Sequence, residues 1–163
     1  MNAKEAIRIA LTSTQNMLPR FLTDLSDDDI LVRPVPNANH IAWQLGHVIS
    51  SECRLGKQLP GAEYPELPAG FAEQHSKANA SMDPPKNFGT KAQYLELFNK
   101  VRQATIANLD RLNEADLDKP TTGDIAKMAP TVGAILLLTA NHVTMHAGQF
   151  SVVRRKLGKP NFF

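Results

Sequence analysis

Hydrophobic residues recur at spacings of three and four in four stretches of the chain, and no stretch shows the alternation typical of a strand. The predicted helices run from about residue 3 to 25, 40 to 59, 90 to 112 and 131 to 157. Pro19 lies inside the first stretch and is expected to kink it, because proline cannot donate to the preceding turn. This pattern predicts an all-α fold, a four-helix bundle.

Polar residues and glycines predict where these helices begin and end. Thr90 and Gln93 have the spacing of a capping box, and Gly158 follows the last periodic residue of the fourth helix. Ser26, followed by three aspartates, is expected to start a short helical turn. Either Asn37 or Asn39 is expected to cap the second helix.

The longest connection, residues 60–89, joins the second and third helices and is rich in proline. A connection of this length in a compact domain is usually functional or partly disordered. We interpret it as a lid over a site, with a plain surface crossover as the alternative, and expect a short helix near residues 71–78. His75, inside it, is expected to be an ordinary polar loop residue.

The composition is that of one soluble domain spanning residues 1–163, with 42% hydrophobic residues and a net charge of +2. The basic cluster Arg154-Arg155-Lys156 closes a predicted helix and needs no partner there, so nucleic acid is not expected. The most apolar run, residues 132–140, is far shorter than the about 20 residues that span a membrane. A signal peptide is not expected, and the single cysteine, Cys53, fits a reducing cytoplasm. We expect Cys53 to be a packed side chain and not a nucleophile.

Two histidines of the fourth helix, His142 and His146, lie four residues apart, so they share the helix face that also carries Val143 and Phe150. Imidazoles that point into a core cost free energy unless something binds them. An H-x-x-x-H pair alone is common, and Val143 stands where a zincin would have its catalytic glutamate. The pair therefore indicates a metal ion only if a further ligand can be found.

The second helix offers that further ligand, His47, in a polar line with His40, Gln44 and Ser51. A faint internal duplication, LSDDDI in one half and LNEADL in the other, gives His47 and His142 similar places and predicts that their helices pair. Three histidines from two paired helices predict a site for a divalent metal ion. His40 is expected at the helix start or in the pocket wall, and not as a ligand.

The segments Trp43–His47 and Asn141–Gln149, with the tail Arg155–Pro160, resemble the DinB-like family of metal-binding four-helix bundles. The resemblance implies that His47, His142 and His146 are the metal ligands. It implies a homodimer, to which the apolar terminus with Phe162 and Phe163 is expected to contribute. It also implies an enzyme acting on a small molecule. We expect transfer of a low-molecular-weight thiol to an electrophile through a thiolate bound to the metal. A metal-dependent hydrolase using a bound hydroxide, and a non-catalytic metal-binding module, remain the alternatives.

Three neutral imidazoles leave a divalent ion with open positions and its full charge, which favours an anionic ligand. Zinc is the expected ion, and nickel or copper would also bind well. No catalytic acid or base is assigned, because Glu52 is turned away from His47 along the helix, which counts against a hydrolase. The candidates for the pocket or for support of the ligands are His40, Gln44, Ser51, Asn141 and Gln149.

Overall fold

The computed structural model describes residues 1–160, which contain six α-helices and no strand. They are α1 (Ala3–Met17), α2 (Ile41–Gly56), α3 (Phe71–Gln74), α4 (Lys91–Arg111), α5 (Glu114–Leu117) and α6 (Val132–Lys156). Short 3₁₀ turns lie at Leu18–Leu22, Asp29–Leu31, Lys77–Asn79 and Gly123–Lys127. The four long helices confirm the predicted all-α bundle. Two short turns, α3 and Lys77–Asn79, occupy the place where a short helix was predicted.

The four long helices form a closed ring of neighbours. Helix α2 packs against α4 and α6, and α1 packs against the same two helices from the other side of the core. The two histidine-bearing helices, α2 and α6, are therefore adjacent, as the internal duplication predicted. The core between the helices contains two apolar clusters, one with Phe98 and Phe150 and the other with Leu11, Leu109 and Leu136.

The ends of two helices differ from the prediction. Helix α1 stops at Met17, and a 3₁₀ turn with Pro19 near its start replaces the predicted kinked continuation to residue 25. Proline has no N–H for the α-helical ladder, which explains the change of hydrogen-bond pattern at this point. Neither Asn37 nor Asn39 caps α2. His40 does so, because its Nδ1 accepts a hydrogen bond from the Trp43 N–H at 3.1 Å.

Helix α6 ends as predicted, with Gly158 in the left-handed conformation at φ 67°. Its basic end is not a free cluster, however, since Arg154 is buried and its guanidinium donates to the Asp24 carboxylate and the Phe21 carbonyl. Arg154 is therefore held by an ion pair within the chain, in addition to the favourable helix end that the sequence predicted for these cations. Phe162 and Phe163, expected to contribute to a dimer, lie outside the described residues.

None of the helices in residues 1–160 combines the length and the hydrophobicity required to cross a membrane.

Candidate metal centre

Three histidine side chains converge where α2 and α6 meet. The ring centroids of His47, His142 and His146 lie 4.7 to 5.5 Å apart. Each ring offers one nitrogen to a set whose members all lie within 4.8 Å of one another. The four-residue spacing on α6 brings the Nε2 atoms of His142 and His146 to 3.1 Å. That separation is close to the about 3.3 Å edge of a tetrahedron with zinc–nitrogen bonds of about 2.0–2.1 Å.

Gln44 of α2 orients the ring of His146. The Gln44 amide nitrogen donates to the Asn39 carbonyl at 2.8 Å, so its oxygen is the atom that faces His146 Nδ1, at 2.9 Å. An amide oxygen only accepts, and the proton of His146 must therefore sit on Nδ1. This leaves the Nε2 lone pair free for a cation, which is how a supporting group prepares a histidine ligand.

His47 is held by its neighbours on two sides. Its ring stacks on the indole of Trp43, with centroids 4.8 Å apart and planes 9° from parallel. Its Nδ1 lies 3.4 Å from the backbone carbonyl of His75, a long hydrogen bond in which the ring must be the donor. Nε2 of His47 is then the atom without a proton and the one available to a metal ion.

Burial keeps all three rings neutral at pH 7. Desolvation lowers the pKa of His146 to about 3 and that of His142 to about 4, and it also lowers the pKa of His47. The charges of the neighbouring rings act in the same direction for His142 and His146. Neutral imidazoles are the form that binds metal, and this donor set therefore fits a divalent ion.

The three histidines border a cavity of about 740 Å³ that opens to the surface. Two exposed cations, Arg54 and Lys77, lie in its wall, and no Asp or Glu does so among the described residues. The other lining residues are Asn39, Trp43, Ser51, Leu55, Ala80, Ile125, Met128, Leu138, Asn141, Met145 and Gln149. Because Lys77 and Ala80 come from the long connection, that segment forms part of the cavity wall and is more than a surface crossover.

Comparison with known proteins shows the family and the fold of the chain. The sequence model of the DinB superfamily matches residues 10–150. The chain belongs to the DinB superfamily. No curated protein matches it. A crystal structure titled as the conserved protein of locus from Enterococcus faecalis is similar, with a TM-score of 0.69 and 15% identity over 98% of this chain and 99% of that one. At that identity the likeness shows the fold alone.

The residues predicted near the site of this DinB superfamily protein fall into two groups. Ser51, Asn141 and Gln149 line the cavity, whereas Gln44 lies behind His146 and is 1% exposed. His40 is 1% exposed, caps α2 and packs edge-on against Phe88, which takes it out of the cavity wall. Of the two roles predicted for His40, the structure shows the one at the helix start.

His75 is a buried residue, and its prediction as an ordinary polar loop residue is wrong. It is 1% exposed, its Nδ1 donates to the Phe71 carbonyl at 2.7 Å, and its Nε2 lies 2.8 Å from the Tyr94 hydroxyl. The ring fills the space over Gly46, where a Cβ would lie 2.1 Å from it. A glycine inside a helix, directly before His47, is the sequence signal from which a close approach to α2 could have been predicted.

Neither Glu52 nor Cys53 reaches the cavity. Glu52 is turned away from His47, as predicted, and forms an ion pair with Arg102. Cys53 is buried, and desolvation raises the pKa of its thiol to about 11. An unionised, packed thiol is a poor nucleophile, in line with the sequence prediction.

Proposed function

We propose that this protein is a metal-dependent enzyme that joins a low-molecular-weight thiol to an electrophilic small molecule. The observation that carries the proposal is the convergence of three neutral imidazoles, His47, His142 and His146, on an open cavity. A divalent ion held by them supplies positive charge that lowers the pKa of a thiol bound to it. We propose zinc as the resident ion, with nickel as the alternative.

The charge of the cavity wall supports an anionic reactant. Within the part of the chain that the structure describes, the side chains of Arg54 and Lys77 form no ion pair and no hydrogen bond. Their charges act on the site, since each is among the causes that lower the pKa of His47. Two cations without a counter-charge, beside a metal site, attract a thiolate or a thiol that carries a carboxylate.

The remaining wall suits an apolar electrophile. Trp43, Leu55 and Leu138 present apolar surface to the cavity, and the exposed Met128 and Met145 also line it. Methionine side chains adapt to ligands of different shape, and this allows a range of electrophiles. In the reaction, the thiol loses its proton to water and the sulfur–carbon bond forms. The leaving group departs with the electron pair of the bond that breaks.

The absence of carboxylates among the described lining residues favours thiol transfer over hydrolysis. A thiol with a pKa of about 8.5 ionises near neutral pH once a cation lowers that value further. Hydrolysis needs a group that removes a proton from water and then returns it to an alcohol or amine leaving group. No carboxylate that could serve as this group stands in the described wall.

The test measures thiol consumption with an electrophile such as a haloaromatic compound, using untagged protein of known metal content. The Cys53→Ala background removes the only cysteine of the chain, so every thiol detected belongs to the substrate. We expect metal-dependent loss of thiol that His146→Ala abolishes. Ester cleavage without thiol would replace the proposal by a hydrolase. No turnover, together with a large fall in melting temperature on chelation, would replace it by a non-catalytic metal-binding module.

A further inference from the structure

The backbone of residues 71–76, in the long connection, contacts the site face of α2 at two points. The His75 carbonyl faces Nδ1 of His47 at 3.4 Å. The next carbonyl, that of Ser76, accepts a hydrogen bond from the indole N–H of Trp43 at 3.1 Å. Since the Trp43 ring stacks on the His47 ring, both contacts constrain the same imidazole.

The side chain of His75 holds this segment in place. Its Nδ1 donates to the Phe71 carbonyl, and its Nε2 therefore accepts a hydrogen bond from the Tyr94 hydroxyl of α4. The Tyr94 oxygen in turn accepts from the Gly89 N–H at 3.3 Å. His75 and Tyr94 are 1% and 2% exposed, and the space over Gly46 admits the His75 ring only because no Cβ is there.

We infer that His75 and Tyr94 are positioning residues for the metal ligand His47. Together they dock residues 71–76 onto α2, and the docked carbonyl keeps the proton of His47 on Nδ1 and leaves Nε2 for the ion. This inference rests on the proposed metal site. Because coupling between two equilibria is reciprocal, metal binding at His47 also stabilises the docked segment.

The chain contains a matched control for the Tyr94 hydroxyl. Tyr64, also in the long connection, packs over Gly56 of α2, where a Cβ would lie 2.2 Å from its ring. Its hydroxyl is 3.1 Å from Thr105 Oγ1 of α4. Tyr64→Phe thus removes a comparable hydrogen bond between the connection and α4, at a position that neither lines the cavity nor contacts a histidine of the site.

The experiment measures zinc affinity by competition with a chromophoric chelator for the wild type, Tyr94→Phe and Tyr64→Phe. The d–d absorption of the cobalt-loaded proteins reports ligand geometry. Supporting residues of metal ligands typically contribute about 10–100-fold in affinity, and we expect a loss in that range for Tyr94→Phe with an altered cobalt spectrum. Tyr64→Phe should match the wild type in zinc affinity and in the cobalt spectrum. Hydrogen exchange of residues 71–79 should slow on zinc addition in the wild type and less in Tyr94→Phe.

The outcomes separate this inference from the function on which it rests. If the wild type binds no zinc, the proposed metal site itself is wrong. A wild type that binds zinc, with Tyr94→Phe showing the same affinity and cobalt spectrum, overturns the positioning role alone. Equal losses in Tyr94→Phe and Tyr64→Phe also overturn it, since the effect would then be one of general stability.

Discussion

Two polar clusters lie on different faces of α2, and they differ in how far their polar atoms are bonded to the surrounding protein. Glu52 and His47 are five residues apart, which separates their directions by about 140° around the helix. The Glu52 cluster is closed. Arg102 donates to both carboxylate oxygens at 2.8 and 2.9 Å and to Thr14 Oγ1, and the Thr105 hydroxyl donates to the same carboxylate.

The histidine cluster hydrogen-bonds to groups outside itself only through its outer nitrogens. Gln44 and the His75 carbonyl face the outer nitrogens of His146 and His47. The inner nitrogens of His142 and His146 face each other at 3.1 Å. Because His146 carries its proton on Nδ1, its Nε2 is an acceptor, and its partner is another histidine of the same set. Three imidazole nitrogens that converge in this way indicate a place for a cation. The Glu52 cluster is buried away from solvent, whereas His47 and His142 are half-buried beside an open cavity, and this distinguishes a structural cluster from a candidate site.

The largest expected effect is on stability, in the closed cluster. Arg102→Met leaves the Glu52 carboxylate buried without its partner, which should lower the free energy of unfolding by about 3–5 kcal/mol. Urea denaturation of the metal-free protein measures it. The double variant Glu52→Met/Arg102→Met should recover most of the loss. If Arg102→Met alone were as stable as the wild type, the Glu52 cluster would not depend on this ion pair.

The second effect is on metal affinity, in the open cluster. His142→Ala removes one of three converging ligands, and zinc affinity should fall by more than the about 100-fold that marks the upper range for supporting residues. Isothermal titration of the folded variant measures this change. Arg102→Met, where it folds, should keep a zinc stoichiometry of about one. If Arg102→Met lost zinc binding while His142→Ala kept it, the Glu52 cluster and not the histidine cluster would be the metal site.

A smaller loss is expected when the support of the open cluster is removed. Gln44→Leu deprives His146 Nδ1 of its acceptor, and zinc affinity should fall by about 10–100-fold. Gln149→Leu is the matched control, because Gln149 lines the same cavity without bonding to any of the three histidines. If both variants lost affinity equally, the orienting role of Gln44 would be wrong.

The smallest expected effect is a difference in pH dependence of the metal-free protein. Burial lowers the pKa of His146 to about 3 from 6.5, so between these values the unfolded chain binds a proton that the folded chain does not. The free energy of unfolding is therefore unaffected by this proton above pH 6.5 and decreases as the pH falls below 6.5. From pH 7 to 5.5, the wild type should lose about 1 kcal/mol more stability than His146→Ala. Urea denaturation at the two pH values checks it, and an equal loss in both proteins would contradict it.

The prediction of the fold succeeded where the information was local. Apolar periodicity predicted the four long helices, and the capping residues Thr90 and Gly158 are where the sequence placed them. The errors also have local causes. Pro19 is compatible with either a kinked α-helix or a 3₁₀ turn, and His40 is an uncommon capping residue that competed with two asparagines.

The candidate site was predictable in part for the same reason. The spacing of His142 and His146 places them on one helix face whatever the rest of the chain does. The addition of His47 relied on an internal duplication and on a family resemblance, and the adjacency of α2 and α6 now supports it. His75 was misjudged because nothing near it in the sequence shows that Gly46, far away along the chain, leaves room for its ring.

By itself, the amino-acid sequence determined the helices, their apolar faces and the pairing of two histidines on α6, because these follow from the period of a helix. Only the tertiary structure decided which groups become the hydrogen-bond partners of the buried polar side chains. Gln44 meets His146, Arg102 meets Glu52 and Tyr94 meets His75 across different helices or the long connection. Such contacts depend on which surfaces pack together and at what depth, and no local spacing encodes them. The physical reason is that burial, and not sequence position, makes a polar group require a partner.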